Sequence, residues 1–181
     1  MSWCLCASLG NTGLQVGLHD GAWRAVERYS VAELRRDGSW LQTLQRLLSV
    51  SGLPPGECRR ALICASSPDV APPADAIAQL IGVSPSLLGR DFTVPMPADY
   101  APPGTLGQDR ILSGYAAQAM AGRPCIALDA GTCLTCEAVS PAGALLPIAI
   151  APGLPALRAG LLATAPHLGV GLQAALSHWD V

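Results

Sequence analysis

Aromatic side chains are scarce in this chain: 4% of 181 residues, with a single phenylalanine. A core must therefore be built from small aliphatic side chains, and a hydrophobic content of 50% supplies them. Charge is scarce too, at 13%, which excludes the charge-rich, core-poor composition of a disordered chain. Basic residues are not in excess. The net charge is −2, so there is no electrostatic footprint for nucleic acid. The pairs Arg35-Arg36 and Arg59-Arg60 read as solvated helix faces. No apolar run reaches the ~20 residues of a membrane span. The N-terminal apolar run has no basic region ahead of it, so no signal peptide is expected. Seven cysteines is an odd number, and reduced thiols in a cytoplasmic protein are the simplest reading. The three histidines, His19, His167 and His178, are scattered and read as surface or cap residues.

What is present is strong punctuation. Residues 3–29 read as a three-strand meander: Trp3–Ser8, Leu14–His19 and Ala22–Tyr29. The Asp20-Gly21 pair is a good hairpin signal between the last two. Over 39–50 the positions Trp40, Leu41, Leu44, Leu47 and Leu48 share one helical face, with Ser39 as N-cap. A Gly/Pro stretch, 52–56, precedes a buried strand at Ala61–Ala65. A short helix is predicted over Ala74–Ile81 and a strand over Phe92–Val94. Residues 95–104 are proline-rich and predict a surface loop. A helix then runs from near Gln108 to a stop at Gly122. From Cys125 the pattern begins again: strand Cys125–Leu128, turn, strand Cys133–Val139, turn, strand Leu145–Ala151, helix Pro155–Ala163. After Thr164 there is room for one short helix. The order strand, glycine turn, strand, turn, strand, helix thus occurs twice, which predicts an approximate duplication with a cleft between two lobes.

The two glycine turns carry the chemistry. Gly10-Asn11-Thr12 follows the first apolar strand, and Gly131-Thr132 follows Cys125–Leu128 and Asp129. Glycine lets a backbone approach a ligand, and threonine adds a hydroxyl beside free N–H groups. Two such turns facing one another suit a polyphosphate. Asp129 ends an apolar strand, where a buried charge costs several kcal/mol unless paired or bound to a cation. That points to a ligand-facing role. Asp109, just ahead of an apolar helix, suits either the helix dipole or a general base. Arg110 suits a solvated helix surface or a substrate carboxylate. Cys133 and Cys136 point to opposite strand faces and do not suit a shared metal. Cys4 and Cys6 alternate on one strand face and are read as core.

The ordered set is Gly10-Asn11-Thr12, Leu106-Gly107-Gln108-Asp109-Arg110, Asp129-Ala130-Gly131-Thr132 with Thr135, Ile150-Ala151-Pro152-Gly153, and Thr164-Ala165. It resembles the type III pantothenate kinases, members of the actin-like ATPase and sugar kinase superfamily, from about residue 3 to 168. The resemblance implies an α/β fold of duplicated ribonuclease-H-like lobes, here 1–122 and a partial second lobe at 123–181. It implies a cytoplasmic homodimer that uses ATP with Mg²⁺, and a monovalent cation (K⁺ or NH₄⁺), to phosphorylate pantothenate on the way to coenzyme A. By the same resemblance Gly10, Asn11, Thr12, Gly131 and Thr132 hold ATP phosphates. Asp109 is the catalytic base. Tyr100, Gly107, Arg110 and Thr164 contact pantothenate, and Asp129 serves the cation. Nucleic acid and membrane are not implied as partners.

Two positions depart from the family pattern. The family's first phosphate motif begins with aspartate where this chain has Ser8, and a glycine pair stands where this chain has Pro147-Ile148. Second-lobe elements present in the family also lie past this chain's last residue. A rival expectation is therefore a non-catalytic homologue that binds a small acid or a partner chain.

Overall fold

The computed structural model describes residues 2–30, 39–66, 74–102 and 104–169. The Arg35-Arg36 pair, the Ser39 side chain and His178 lie outside them. The first sheet contains β1 (Trp3–Leu9), β2 (Gly13–His19), β3 (Trp23–Ser30), β4 (Cys58–Ala65) and β5 (Ser86–Leu87). Its spatial order is β3-β2-β1-β4-β5. The meander β1-β2-β3 is antiparallel, and β4 joins β1 in parallel after a crossover through α1 (Ser39–Ser51). Helix α2 (Ala74–Ile81) links β4 to β5.

Alternation decides what this sheet buries. Trp3, Leu5, Ala7 and Leu9 of β1 and Leu14, Val16 and Leu18 of β2 share one face, and all are buried. Leu44, Leu47 and Leu48 of α1 and Ile77 and Ile81 of α2 close over that face, so the helical stripe read from sequence is the one that packs. The Trp3 indole N–H donates to the Pro54 carbonyl at 2.7 Å, which satisfies the one polar atom of this core side chain. Cys4 and Cys6 differ from expectation. With the even positions of β1 they face the other side of the sheet and are half-buried. The odd positions had already claimed the core.

A strand over Phe92–Val94 does not form. Its place beside β4 is taken by the two-residue β5, in register with Leu62 and Ile63. The chain then turns back sharply. Gly89 sits at φ +86°, its N–H donates to Phe92 O at 2.8 Å, and the Asp91 carboxylate accepts the Leu87 N–H at 2.8 Å. Pro95 and Pro97 lack the donors a further strand would need. The proline loop is anchored all the same: Leu145 N–H donates to Pro97 O at 2.8 Å and Asp99 N–H to Leu145 O at 3.0 Å.

The second sheet is the antiparallel meander β6 (Cys125–Ala130), β7 (Cys133–Val139) and β8 (Leu145–Pro152), followed by α4 (Leu154–Thr164) and a 3₁₀ turn at Pro166–Leu168. The strand-turn-strand-turn-strand-helix order thus occurs twice, as the sequence predicts, and the fold is a mixed α/β arrangement of two sheets with helices. Helix α3 (Gln108–Ala121) joins the halves. It packs mainly on β6 and β7 and also touches β4. Gly114 lets it approach closely, since a Cβ there would collide with the buried Leu145 side chain.

Candidate functional site

The two glycine turns meet. Gly10–Thr12 closes the β1-β2 hairpin, with Gly10 N–H donating to Gly13 O at 2.8 Å. Gly131-Thr132 closes the β6-β7 hairpin, with Gly131 N–H donating to Cys133 O at 3.0 Å. The Thr12 and Thr132 hydroxyls stand 2.6 Å apart, although 120 residues separate them in sequence. They sit at a cavity of about 640 Å³. Asn11 lines it with both turns; Tyr100, Gly107, Asp109, Arg110 and Asp129 complete the set. The structure therefore brings together every sequence-predicted site residue except Thr164. That hydroxyl donates to the Gly160 and Leu161 carbonyls of its own helix, at 3.0 and 3.2 Å, and does not line the cavity.

Asp109 lies in the first turn of α3, where the helix dipole favours a carboxylate. Its Oδ1 accepts the Arg110 backbone N–H at 3.0 Å. Gly107 makes room for it: a Cβ at 107 would collide with that oxygen. Cys64, at the end of β4, has its thiol pushed up to about 11, first by burial and then by the Asp109 charge. It is a neutral thiol at physiological pH. Asp129 was expected to be costly to bury. It is instead exposed to the cavity, beside Gly131, and has no ion-pair or hydrogen-bond partner among the described residues.

Arg110 commits two of its five donors to the protein. Its Nε–H donates to Glu137 Oε1 at 2.5 Å and its Nη2 to the Ala149 carbonyl at 3.1 Å. Glu137 was not foreseen from sequence. It is fully buried, and its Oε2 accepts the Thr135 hydroxyl at 3.3 Å. The signal was the alternation of β7, which puts Glu137 on the inward face with Thr135 and Val139.

The two departures from the motif pattern also have places. Ser8 is exposed and lines the cavity next to Gln15, its cross-strand partner. Pro147 pairs with Glu137 and Ala149 with Cys136, so Ile148 is the extra residue of a β-bulge. Gly153, which ends the Ile150–Gly153 motif, locks the second turn. Its N–H donates to Thr132 O at 2.9 Å, and a Cβ would lie 2.8 Å from that same oxygen and closer still to Gly131 O. A second, apolar cavity of about 470 Å³ adjoins across Ser8 and Gln15, walled by Trp23, Leu62, Phe92 and Leu112.

Such a cavity can hold phosphates between two backbone turns, a cation at a free carboxylate, and an acceptor hydroxyl beside a second carboxylate. Comparison with known proteins places the chain in a family. A family model described as type III pantothenate kinase matches residues 4–178. A type III pantothenate kinase of Moorella thermoacetica is 29% identical over 171 residues, 91% of this chain and 65% of the relative. One from Thermomicrobium roseum is 32% identical over 171 residues, 92% of this chain and 65% of the relative. Among solved structures, YeaZ from Pseudomonas aeruginosa aligns with a TM-score of 0.41 at 14% identity, covering 84% of this chain and 68% of that one. The chain spans 65% of the length of the two kinases named here. Its match to the family model covers nearly its whole length, and the chain belongs to the type III pantothenate kinase family.

Proposed function

We propose that this chain transfers the γ-phosphoryl group of ATP to the hydroxyl of pantothenate. The observation that carries the reading is the meeting of the Thr12 and Thr132 turns, 2.6 Å apart at their hydroxyls, in one cavity with Asp109. The backbone N–H groups of Asn11, Thr12 and Thr132 hold the phosphates, with Gly10 and Gly131 allowing close approach. Arg110 and Tyr100 orient the acceptor. Asp109 takes the proton of the acceptor hydroxyl as its oxygen bonds to the γ-phosphorus, and the bond from that phosphorus to the β–γ bridging oxygen breaks, leaving ADP. The residues fit a divalent cation: Asp129 is a free carboxylate at the phosphate end, and Mg²⁺ needs only one or two such ligands besides phosphate and water. When bound, the cation neutralises charge on the phosphates. A monovalent cation, K⁺ or NH₄⁺, is assigned to the same Asp129 edge. Residues 1–122 and 123–181 act as the two lobes. Seven free thiols suit a cytoplasmic setting.

The test is direct: the purified chain, Mg-ATP and pantothenate, with ADP and phosphopantothenate measured by mass spectrometry. Phosphopantothenate formed at the rate of ADP release supports the reading, and its absence at millimolar substrates overturns it. Ser8 favours a second reading, binding without turnover, because a neutral hydroxyl replaces a carboxylate at the phosphates. Ser8→Asp is expected to strengthen Mg-ATP binding about 10–100-fold, read by calorimetric titration. Wild-type binding that is already tight and unchanged by the substitution would show that the site works without that carboxylate.

We also propose a homodimer. Ile126, Leu128 and Leu134 on the outer face of the second sheet are 67%, 71% and 44% exposed, and no residue of α4 is buried. Monomers rarely leave apolar patches beyond ~300–600 Å² open. Light scattering at micromolar concentration is expected to give twice the chain mass. A stable monomer would count against the dimer.

A further inference from the structure

Glu137 is a carboxylate with no exposed surface, in a chain where charge is rare. Burying an ion costs several kcal/mol unless geometry and hydrogen bonds compensate. Here both oxygens are used, one by Arg110 Nε and one by the Thr135 hydroxyl. Arg110 in turn has only 11% of its side chain exposed, yet it lines the cavity. A guanidinium has five N–H donors in a fixed fork. Nε and one Nη2 donor are spent on Glu137 and Ala149. The remaining donors have no partner among the described residues.

The tie spans the molecule's two halves. Arg110 belongs to the first turn of α3, immediately after Asp109, while Glu137 and Ala149 belong to β7 and β8. Its backbone N–H also holds the Asp109 carboxylate. One buried carboxylate therefore sets the direction of the guanidinium fork and fixes the start of α3 against the second sheet.

We propose that Glu137 is a positioning residue: it holds Arg110 so that the unspent edge of the guanidinium receives the carboxylate of the acceptor. The proposal rests on the reading of the acceptor as a carboxylic acid bound at Arg110. Glu137 neutralises the arginine, so recognition depends on aimed hydrogen bonds more than on free charge. A neutral amide at 137 keeps the volume but loses the ionic partner, and Arg110 is then free to leave its direction.

Binding rather than turnover reads this out, so the result does not depend on the kinase reading. Pantothenate, and a neutral analogue with an alcohol in place of the carboxylate, are titrated calorimetrically into wild type and Glu137→Gln. Wild type is expected to prefer pantothenate. In Glu137→Gln that preference should fall about 10–100-fold, by analogy with the partners that orient metal ligands, with affinity for the analogue held within about twofold. Equal loss for both ligands would mean a structural role only and would overturn the proposal, as would an unchanged preference or a wild type that binds neither ligand. Thr135→Val guards against a misfolded Glu137 variant, because it keeps the volume and removes one hydrogen bond to the same carboxylate. It should move the same ratio in the same direction by a few-fold, and no movement overturns the proposal. Wild type that binds pantothenate selectively but never phosphorylates it would remove the kinase reading and leave Glu137 in its role.

Discussion

Asp109→Asn is expected to slow phosphoryl transfer about 10²–10⁴-fold, the usual worth of a positioned general base. Asparagine keeps the shape and an oxygen to accept the Arg110 N–H, which Asp109 holds at 3.0 Å. What it removes is the ability to take a proton from the acceptor. Helix α3 should lose little stability, since the dipole interaction of a first-turn carboxylate is worth ~0.3–1 kcal/mol. Steady-state kinetics beside a thermal melt separate the two effects. A variant that melts like wild type and turns over at the wild-type rate would take Asp109 out of the mechanism.

Gly153→Ala should produce the second large effect, by displacing the Gly131-Thr132 turn. The backbone of Gly153, at φ −73° and ψ 172°, suits alanine, so conformational freedom is not the reason for glycine. The reason is contact: a methyl group would sit 2.8 Å from Thr132 O and 2.9 Å from Thr132 C. These are main-chain atoms and cannot rotate away. Overpacking of this kind costs ~1–3 kcal/mol, and a phosphate-holding turn moved by ~1 Å costs on the order of 10²-fold in rate. The melting temperature should fall by roughly 2–4 °C per kcal/mol for a chain of this size. Gly160→Ala is the matched control. It lies in α4 with nothing within 4 Å of its would-be Cβ, and should stabilise by ~0.5–1 kcal/mol. If Gly153→Ala melts and binds Mg-ATP like that control, the turn is not locked as described.

Most of the architecture was legible because it is written in short-range patterns. The Asp20-Gly21 hairpin, the stripe Leu44-Leu47-Leu48 and the second meander from Cys125 each depend on residues a few positions apart. The two glycine turns were equally plain, and the repeated order of elements was enough to predict that they face one another. What escaped was set by register and by distance in sequence. The choice between Leu5 and Cys6 for the core turns on which face α1 covers. The failure of Phe92–Val94 turns on Asp91 capturing the Leu87 amide, and the outward step at Ile148 turns on a bulge. The alternation of β7 marks Glu137 as inward-facing, but its partner lies 27 residues away, and no local pattern names that partner.

The open face of the second sheet has a thermal consequence. Between Cys125 and Pro152 the only ionisable carboxylates are Asp129 and Glu137, with no arginine or lysine at all, and both carboxylates belong to the inner side. The outer side offers Ile126, Leu128 and Leu134 and no charge. Whatever surface closes over it does so with a driving force that is almost wholly entropic near room temperature. Such a contact loosens on cooling and tightens in sulfate, the reverse of the salt response of an ion-paired interface. Cold storage in low salt is therefore the condition under which this chain should come apart from its cover.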